Sequence, residues 1–198
     1  MKGEKGQRRK KELLQIAYRM FIEKGYDNTS IDEIIAEAGI AKGTYYYHFP
    51  SKEATLEAVI EMMISEEAER AKEVISAPIP VPQKIVAVIM TMRPQQEESG
   101  IANTLERSEN IVMHEKANSR LLDVTTPILT EVVKEGISQG IFDCTNIEER
   151  VKMILFICQR MFDSSSFNER DIEVFIDMVE KTLGAQAGTM GFIKGLIH

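Results

Sequence analysis

The sequence predicts an all-α fold, and three observations predict it. Apolar residues recur at steps of three and four through almost every segment, no alternating run of useful strand length occurs, and glycine, proline or capping residues fall where that period breaks. A chain of 198 residues with 43% apolar and 28% charged content is an ordinary globular composition, long enough for a small domain on a larger one.

The elements follow in order. Leu13, Ile16, Ala17, Met20 and Phe21 form the apolar face of a first helix, which Gly25 ends. Ser30, with Glu33 three residues on, is a capping box for a second helix. Ile31, Ile34, Ile35 and Ala38 form its buried face, and Gly39 stops it. A short third helix covers about Lys42 to Tyr47. Pro50 and Ser51 break and recap the chain, and Leu56, Val59, Ile60, Met63, Ala71 and Val74 trace a long fourth helix. Ala77 to Pro82, "APIPVP", reads as a rigid linker, because proline fixes φ and lacks a donor. A helix from Gln83 to Arg93 stops at Pro94, and "PQQEESG" reads as a loop. The next helix runs from Ile101 to Asp123, with an interruption near His114. Thr126 then caps a separate helix with Pro127 at its first position, running to Gln139. Asn146 with Glu149 caps a helix bearing Val151, Ile154, Leu155, Cys158, Met161 and Phe162. Asn168 caps the last, with Ile172, Phe175, Ile176, Val179 and Leu183 on one face and Gly184 as its stop. The glycine-rich tail from Ala185 is expected to fray.

Charge divides the chain. Its net is −7, but residues 1–52 hold 10 Lys/Arg against 7 Asp/Glu, a net of +3, and the remainder holds 14 against 24, a net of −10. A basic head on an acidic body fits a head that meets phosphate. Cys144 and Cys158 give neither a disulfide framework nor metal-ligand spacing, and read as reduced thiols. The longest apolar run, Ile85 to Met90, is far short of a bilayer span, and "MKGEKGQRRKK" lacks a signal peptide's apolar core, so the expected compartment is the cytoplasm. His48, His114 and His198 stand in unrelated contexts, and no nucleophile, acid–base pair, metal set or cofactor motif is visible; the expectation is a non-enzyme without cofactor.

Helix, glycine turn, short helix is the outline of a helix-turn-helix, here Ile31–Ala38, Gly39–Ala41 and Lys42–Tyr47. "TSIDEIIAEAGIAKGTYYYHFPSKEATL" resembles the DNA-binding domain of the TetR family of bacterial transcriptional regulators. The likeness covers about Arg8 to Ile60, with capped helix, A-G-I, K-G-T, Y-Y-H-F and S-K-E in order. It implies a three-helix DNA-binding domain over 1–52, a ligand-binding and dimerisation domain over 53–185 and a tail over 186–198. It also implies a homodimer on a palindromic double-stranded operator, released by a small molecule. By the same resemblance Tyr45, at a position usually aliphatic in the family, joins Phe49 in the small domain's core. Tyr46 and Tyr47 point at DNA, and Lys42 reads guanine O6/N7. Gly43 allows close approach, and Thr44 bonds a phosphate or base. His48 and Lys52 hold phosphates, and Thr29 and Ser30 sit where the second helix meets the backbone. Arg8 to Lys11, "RRKK", adds sequence-independent attraction or a minor-groove arm.

The C-terminal half carries a methionine-leaning apolar set; flexible thioethers can mould to varied ligands, although residues at this helical spacing more often form core. Family geometry implies a pocket among the fourth to eighth helices, with Met62, Met63, Met90, Arg93, Arg107, His114 and Phe156 as candidate lining. It puts the dimer interface on Asn146–Phe162 and Glu169–Leu183. The net −10 favours a cationic or neutral lipophilic ligand over an anionic one. Two readings stay open: a ligand-released repressor, and a DNA-bound regulator whose output is a protein partner.

Overall fold

A computed structural model describes residues 2–163 and 168–195. Its helices are α1 (Lys2–Lys24), α2 (Ile31–Ala38), α3 (Lys42–His48), α4 (Lys52–Ile75), α5 (Val81–Thr91), α6 (Ser99–Leu105), α7 (Ile111–Ser138), α8 (Ile147–Asp163) and α9 (Glu169–Leu183). Single 3-10 turns lie at Gln96–Glu98, Ser108–Asn110 and Gly191–Gly195, and no strand occurs among the described residues. The fold is all-α, as the periodicity requires. The side chain of Phe162, and His198, lie outside the described residues. No helix among the described residues is long and apolar enough to cross a membrane.

The chain divides into two compact units, Met1–Glu66 with Pro94–Ala117, and Glu67–Arg93 with Asn118–His198. In the first, α1 packs against α2 and α6, and α2 against α3. Leu13, Ala17, Met20 and Phe21 of α1 are buried with Ile34, Tyr45, Phe49, Leu56, Val59, Ile60 and Ile101. Long-range polar contacts reinforce the segment 94–117. The Tyr18 hydroxyl donates to Glu98 Oε1 at 3.0 Å, and Lys116 donates to Glu57 at 2.9 Å. Burial, then the Glu98 carboxylate, pushes the Tyr18 phenol up to about 12.

In the second unit α8 packs on α9. Ile128, Leu129, Val132, Val151, Ile154, Leu155, Ile172, Ile176, Val179 and Leu183 are buried with Val81, Ile85 and Val88. A buried ammonium ties three segments together: Lys84 Nζ donates to Ile75 O at 2.7 Å and to both Glu135 oxygens at 2.9 Å. Gly184, at φ 66°, ends α9 where a Cβ would meet Asp143 O at 2.0 Å, so both conformation and close approach require glycine.

Four local expectations are overturned. Pro127 does not begin a helix; α7 runs through it without a break. A mid-helix proline costs about 3 kcal/mol, and burial of Thr125, Thr126, Ile128, Leu129, Val132 and Val133 outweighs it. The Thr126 hydroxyl, expected as that helix's cap, instead donates back to the Leu122 carbonyl at 2.7 Å, as Thr125 does to Leu121 at 2.7 Å. "PQQEESG" is not all loop, because Gln95 and Glu98 form a capping box and Ser99 and Gly100 open α6. Asn146 takes φ 51°, a left-handed backbone rather than the extended one of a side-chain cap. The tail does not fray through residue 195: the buried Glu180 carboxylate accepts the amides of Gly188 (2.9 Å) and Met190 (2.6 Å), and Met190 is buried.

Candidate nucleic-acid interface

The helix-turn-helix is built by its caps. Ser30 Oγ accepts the Glu33 amide at 3.2 Å, and Glu33 Oε2 accepts the Ser30 amide at 2.8 Å, so the capping box satisfies both of these amides at the start of α2. Lys24, donating to Glu33 at 2.9 Å, and then the Ser30 bonds pull the Glu33 carboxyl down to about 2. Gly39 stops α2 at φ 60°, in the left-handed region a turn needs and a side chain disfavours. Ala41 then leads into α3 without a capping side chain.

Three successive tyrosines of α3 go to three environments. Tyr45 is fully buried, 5.9 Å centre to centre from the Phe49 ring. Its hydroxyl lies 2.5 Å from Thr55 Oγ1, and Thr55 donates its own proton to Ser51 O at 3.1 Å, so Tyr45 donates to Thr55. This bond satisfies the polar atom of an otherwise apolar position and fastens α3 to the first turn of α4. Tyr46 is 43% exposed, edge-on to the Tyr45 ring at 5.5 Å, and Tyr47 is 83% exposed, edge-on to the His48 ring at 5.1 Å, so both keep much aromatic surface in water.

The other predicted residues surround them. Lys42 is exposed, and its Nζ donates to Asp32 Oδ1 at 3.2 Å. An exposed pair of this kind is worth about 0–1 kcal/mol, so the ammonium exchanges it readily for another acceptor. A Cβ at Gly43 would meet nothing within 4 Å, so no packing of this chain requires glycine there; the bare backbone faces outward. Thr44 and His48 are half-buried, and the His48 pKa is lowered by burial, then by Lys10 and Arg9. Ser30 is exposed but engaged by Glu33, its Oγ also donating at 2.9 Å. Thr29 is buried and its hydroxyl is directed to the Gly25 carbonyl at 2.9 Å, so that side chain holds the α1–α2 turn and is not offered outward.

Lys52, in the first turn of α4, has its Nζ 4.2 Å from the centre of the Tyr26 ring and 3.4 Å from Asp27 O. Tyr26 was not singled out by sequence reasoning; an aromatic beside a turn glycine is its only local signal. Arg8 to Lys11 are all exposed, and Lys10 Nζ stands 5.6 Å over the Phe49 ring. The basic run is helical, a continuation of α1 rather than an extended arm.

The candidate ligand residues are split between the units. Met62, Met63, Arg107 and His114 fall in the first, and Met90, Arg93 and Phe156 in the second. Met63 is buried and Met62 half-buried, whereas Met90, Arg93 and Phe156 are exposed. Arg107 directs its guanidinium to Asp27 Oδ2 at 2.6 Å.

A capped helix, a left-handed glycine turn and a short helix presenting lysine, bare backbone and two outward tyrosines form a helix-turn-helix. Residues 13–59 match the family model for bacterial regulatory proteins of the tetR family. Over this N-terminal stretch the chain is similar to that family. The fatty acid metabolism regulator protein of Bacillus subtilis is 28% identical over 138 residues, 66% of this chain and 71% of that protein. The HTH-type transcriptional repressor KstR2 of Rhodococcus jostii is 27% identical over 140 residues, 68% of each chain. Other curated relatives match over a shorter stretch: the HTH-type regulator YerO of Bacillus subtilis is 38% identical over 66 residues, 33% of this chain and 23% of that protein's length. The solved structure of RolR with resorcinol shares the fold, with a TM-score of 0.67 at 19% identity over 97% of this chain and 95% of that one.

Proposed function

We propose that this protein is a homodimeric, sequence-specific DNA-binding regulator of transcription, acting as a repressor released from its operator by a small molecule. The exposed pair Tyr46–Tyr47 beside Lys42 and Gly43 carries the reading. Flat rings contact thymine methyls, their hydroxyls reach phosphate or base, and a lysine takes guanine O6/N7. His48 and Lys52 supply phosphate contacts, and the Arg8–Lys11 run of α1 adds attraction independent of sequence.

Dimerisation is supported by α8 and α9. Met153, Phe156 and Ile157 lie at i, i+3 and i+4 on α8 and are exposed, and Val174 is exposed on α9. A bare apolar stripe of that kind marks a protein interface. Two reading helices then meet half-sites roughly 34–36 Å apart. Footprinting and sedimentation on a selected duplex test this: the expected result is one dimer on a palindrome, with affinity falling steeply as salt rises. Tight binding of a monomer to one half-site would refute it.

Ligand release works through α4, continuous from Lys52 to Ile75. A ligand seated beside Met62 and Met63 that tilts α4 changes the spacing of the reading helices. The ligand must favour the state that does not bind DNA. Coupling of about 1–3 kcal/mol lowers operator affinity roughly 5- to 150-fold, and DNA weakens the ligand by the same factor. A panel of lipophilic cations and neutral aromatics, titrated with and without operator, reads both arms. The second reading, a DNA-bound regulator that answers to a protein partner, is favoured by Ile111 and Val112, adjacent exposed apolar residues at the start of α7. Ligand and operator affinities that ignore each other would put that reading first.

A further inference from the structure

Arg107 follows α6, far along the chain from the helix-turn-helix, yet its guanidinium reaches the α1–α2 turn. Its NH1 donates to Asp27 Oδ2 at 2.6 Å and lies 3.9 Å from Glu109 Oε1. The same turn holds Lys52, which donates to the Asp27 carbonyl at 3.4 Å and stacks its ammonium over the Tyr26 ring. The turn itself is closed by the Thr29 amide donating to Tyr26 O at 3.2 Å and by Gly25 at φ 85°. Asp27 therefore sits between two cations, one facing each end of the residue.

The surroundings are acidic. Burial, then Glu53 and Asp27, with Glu109 a smaller contributor, pushes the Tyr26 phenol up to about 12. A phosphate brought to Lys52 meets this set of carboxylates as well as the ammonium. Paired with Arg107, Asp27 no longer repels it.

We propose that Arg107 is a positioning residue for DNA binding: it cancels the Asp27 charge and holds the Tyr26–Asp27 turn under Lys52, so that the lysine meets the phosphate backbone. This rests on the DNA-binding reading and assigns Arg107 to that surface. The pair contributes little to stability, because both side chains are about half exposed. Its effect is electrostatic and directional. One unit charge uncovered about 10 Å from a phosphate, in a high-dielectric setting, changes affinity about two- to fourfold per half-site. On a dimer the effect squares, to about four- to sixteenfold.

The experiment is a double-mutant cycle on the full chain, read as affinity for a mixed-sequence duplex and for a duplex selected by the wild-type protein, at low and high salt. Arg107→Ala is expected to weaken both duplexes about four- to sixteenfold. Asp27→Asn should bind at least as well as wild type, and the double variant should recover wild-type affinity. The differences should close at high salt, where exposed charges are screened. Should Arg107→Ala fail to fold, Arg107→Gln set against Arg107→Lys carries the same contrast, since only glutamine uncovers the Asp27 charge and lysine should bind like wild type. Equal weakening by Arg107→Ala, Asp27→Asn and the double variant would make the pair a mere structural tie and overturn the proposal. So would an Arg107→Ala protein that binds like wild type. A wild-type protein that binds neither duplex in a salt-dependent way would instead remove the DNA-binding reading, and this inference with it.

Discussion

Two surfaces of this chain carry large apolar side chains into water, and their chemistry differs. On α3, Tyr46 and Tyr47 end in hydroxyls and stand among Lys42, His48 and the exposed Arg8–Lys11 run of the basic head. On α8 and α9, Met153, Phe156, Ile157 and Val174 offer hydrocarbon and thioether with no hydrogen-bonding end. Exposure alone does not tell these surfaces apart. A ring with a polar tip, set among cations, can be desolvated against a phosphate-lined groove without stranding its hydroxyl. A bare apolar stripe gains only by meeting another apolar surface. Under the proposed function, the difference assigns one surface to nucleic acid and the other to protein.

The largest expected effect breaks the protein side of this contrast. Phe156→Glu removes about 2–3 kcal/mol of burial from each protomer, and two-fold symmetry doubles it. Sedimentation equilibrium should show the dimer constant raised about a thousandfold or more, with operator binding lost as a consequence. A Phe156→Glu protein that stays dimeric would move the interface off α8. On the DNA side, Lys42→Ala should lose about 1–3 kcal/mol per half-site and relax preference at one base pair, as selection from a randomised duplex would record. Lys52→Ala sharpens the comparison within that surface: it should weaken all sequences nearly equally and flatten the salt slope by about one unit per half-site. An altered sequence preference would reverse the roles of the two lysines.

Smaller effects follow inside α3. Tyr45→Phe removes the bond to Thr55 and should lower stability by about 1 kcal/mol, read as a fall in Tm, while leaving base preference intact. His48 has its pKa lowered in the folded protein, by burial first and then by Lys10 and Arg9. The folded state therefore holds fewer protons than the unfolded one just below the ordinary histidine pKa of about 6.5, and stability should fall as pH drops through that window. A phosphate beside His48 favours the charged ring, so DNA affinity should rise over the same window. Loss of both trends in His48→Gln would assign them to this residue.

Much of the helix-turn-helix was legible in the sequence because its signals are local. Ser30 with Glu33, Gly39, and Ser51 before α4 each act within a few positions, and each cap or turn forms as expected. The partners of Tyr45 and Lys52 were not legible, since Thr55 and Tyr26 are recognisable only once α3, α4 and the α1–α2 turn are packed. Nor was the gathering of residues 94–117 with the N-terminal helices. Tyr18–Glu98 and Asp27–Arg107 each join residues 80 positions apart, with no spacing rule to announce them. Pro127 failed for the opposite reason. Its local rule is strong, but burial along α7 overrides it.

The Glu180 latch changes how the end of the described chain should behave in time. Gly188 and Met190 donate their amides to a carboxylate that is itself buried on α9. Those two protons leave only when that stretch opens, and opening strands a charge inside the second unit. In hydrogen exchange they should therefore trade with solvent on the slow clock of α9, not on the fast clock of a loose end. Glycine content describes how freely a segment moves when detached; the latch decides how seldom it detaches.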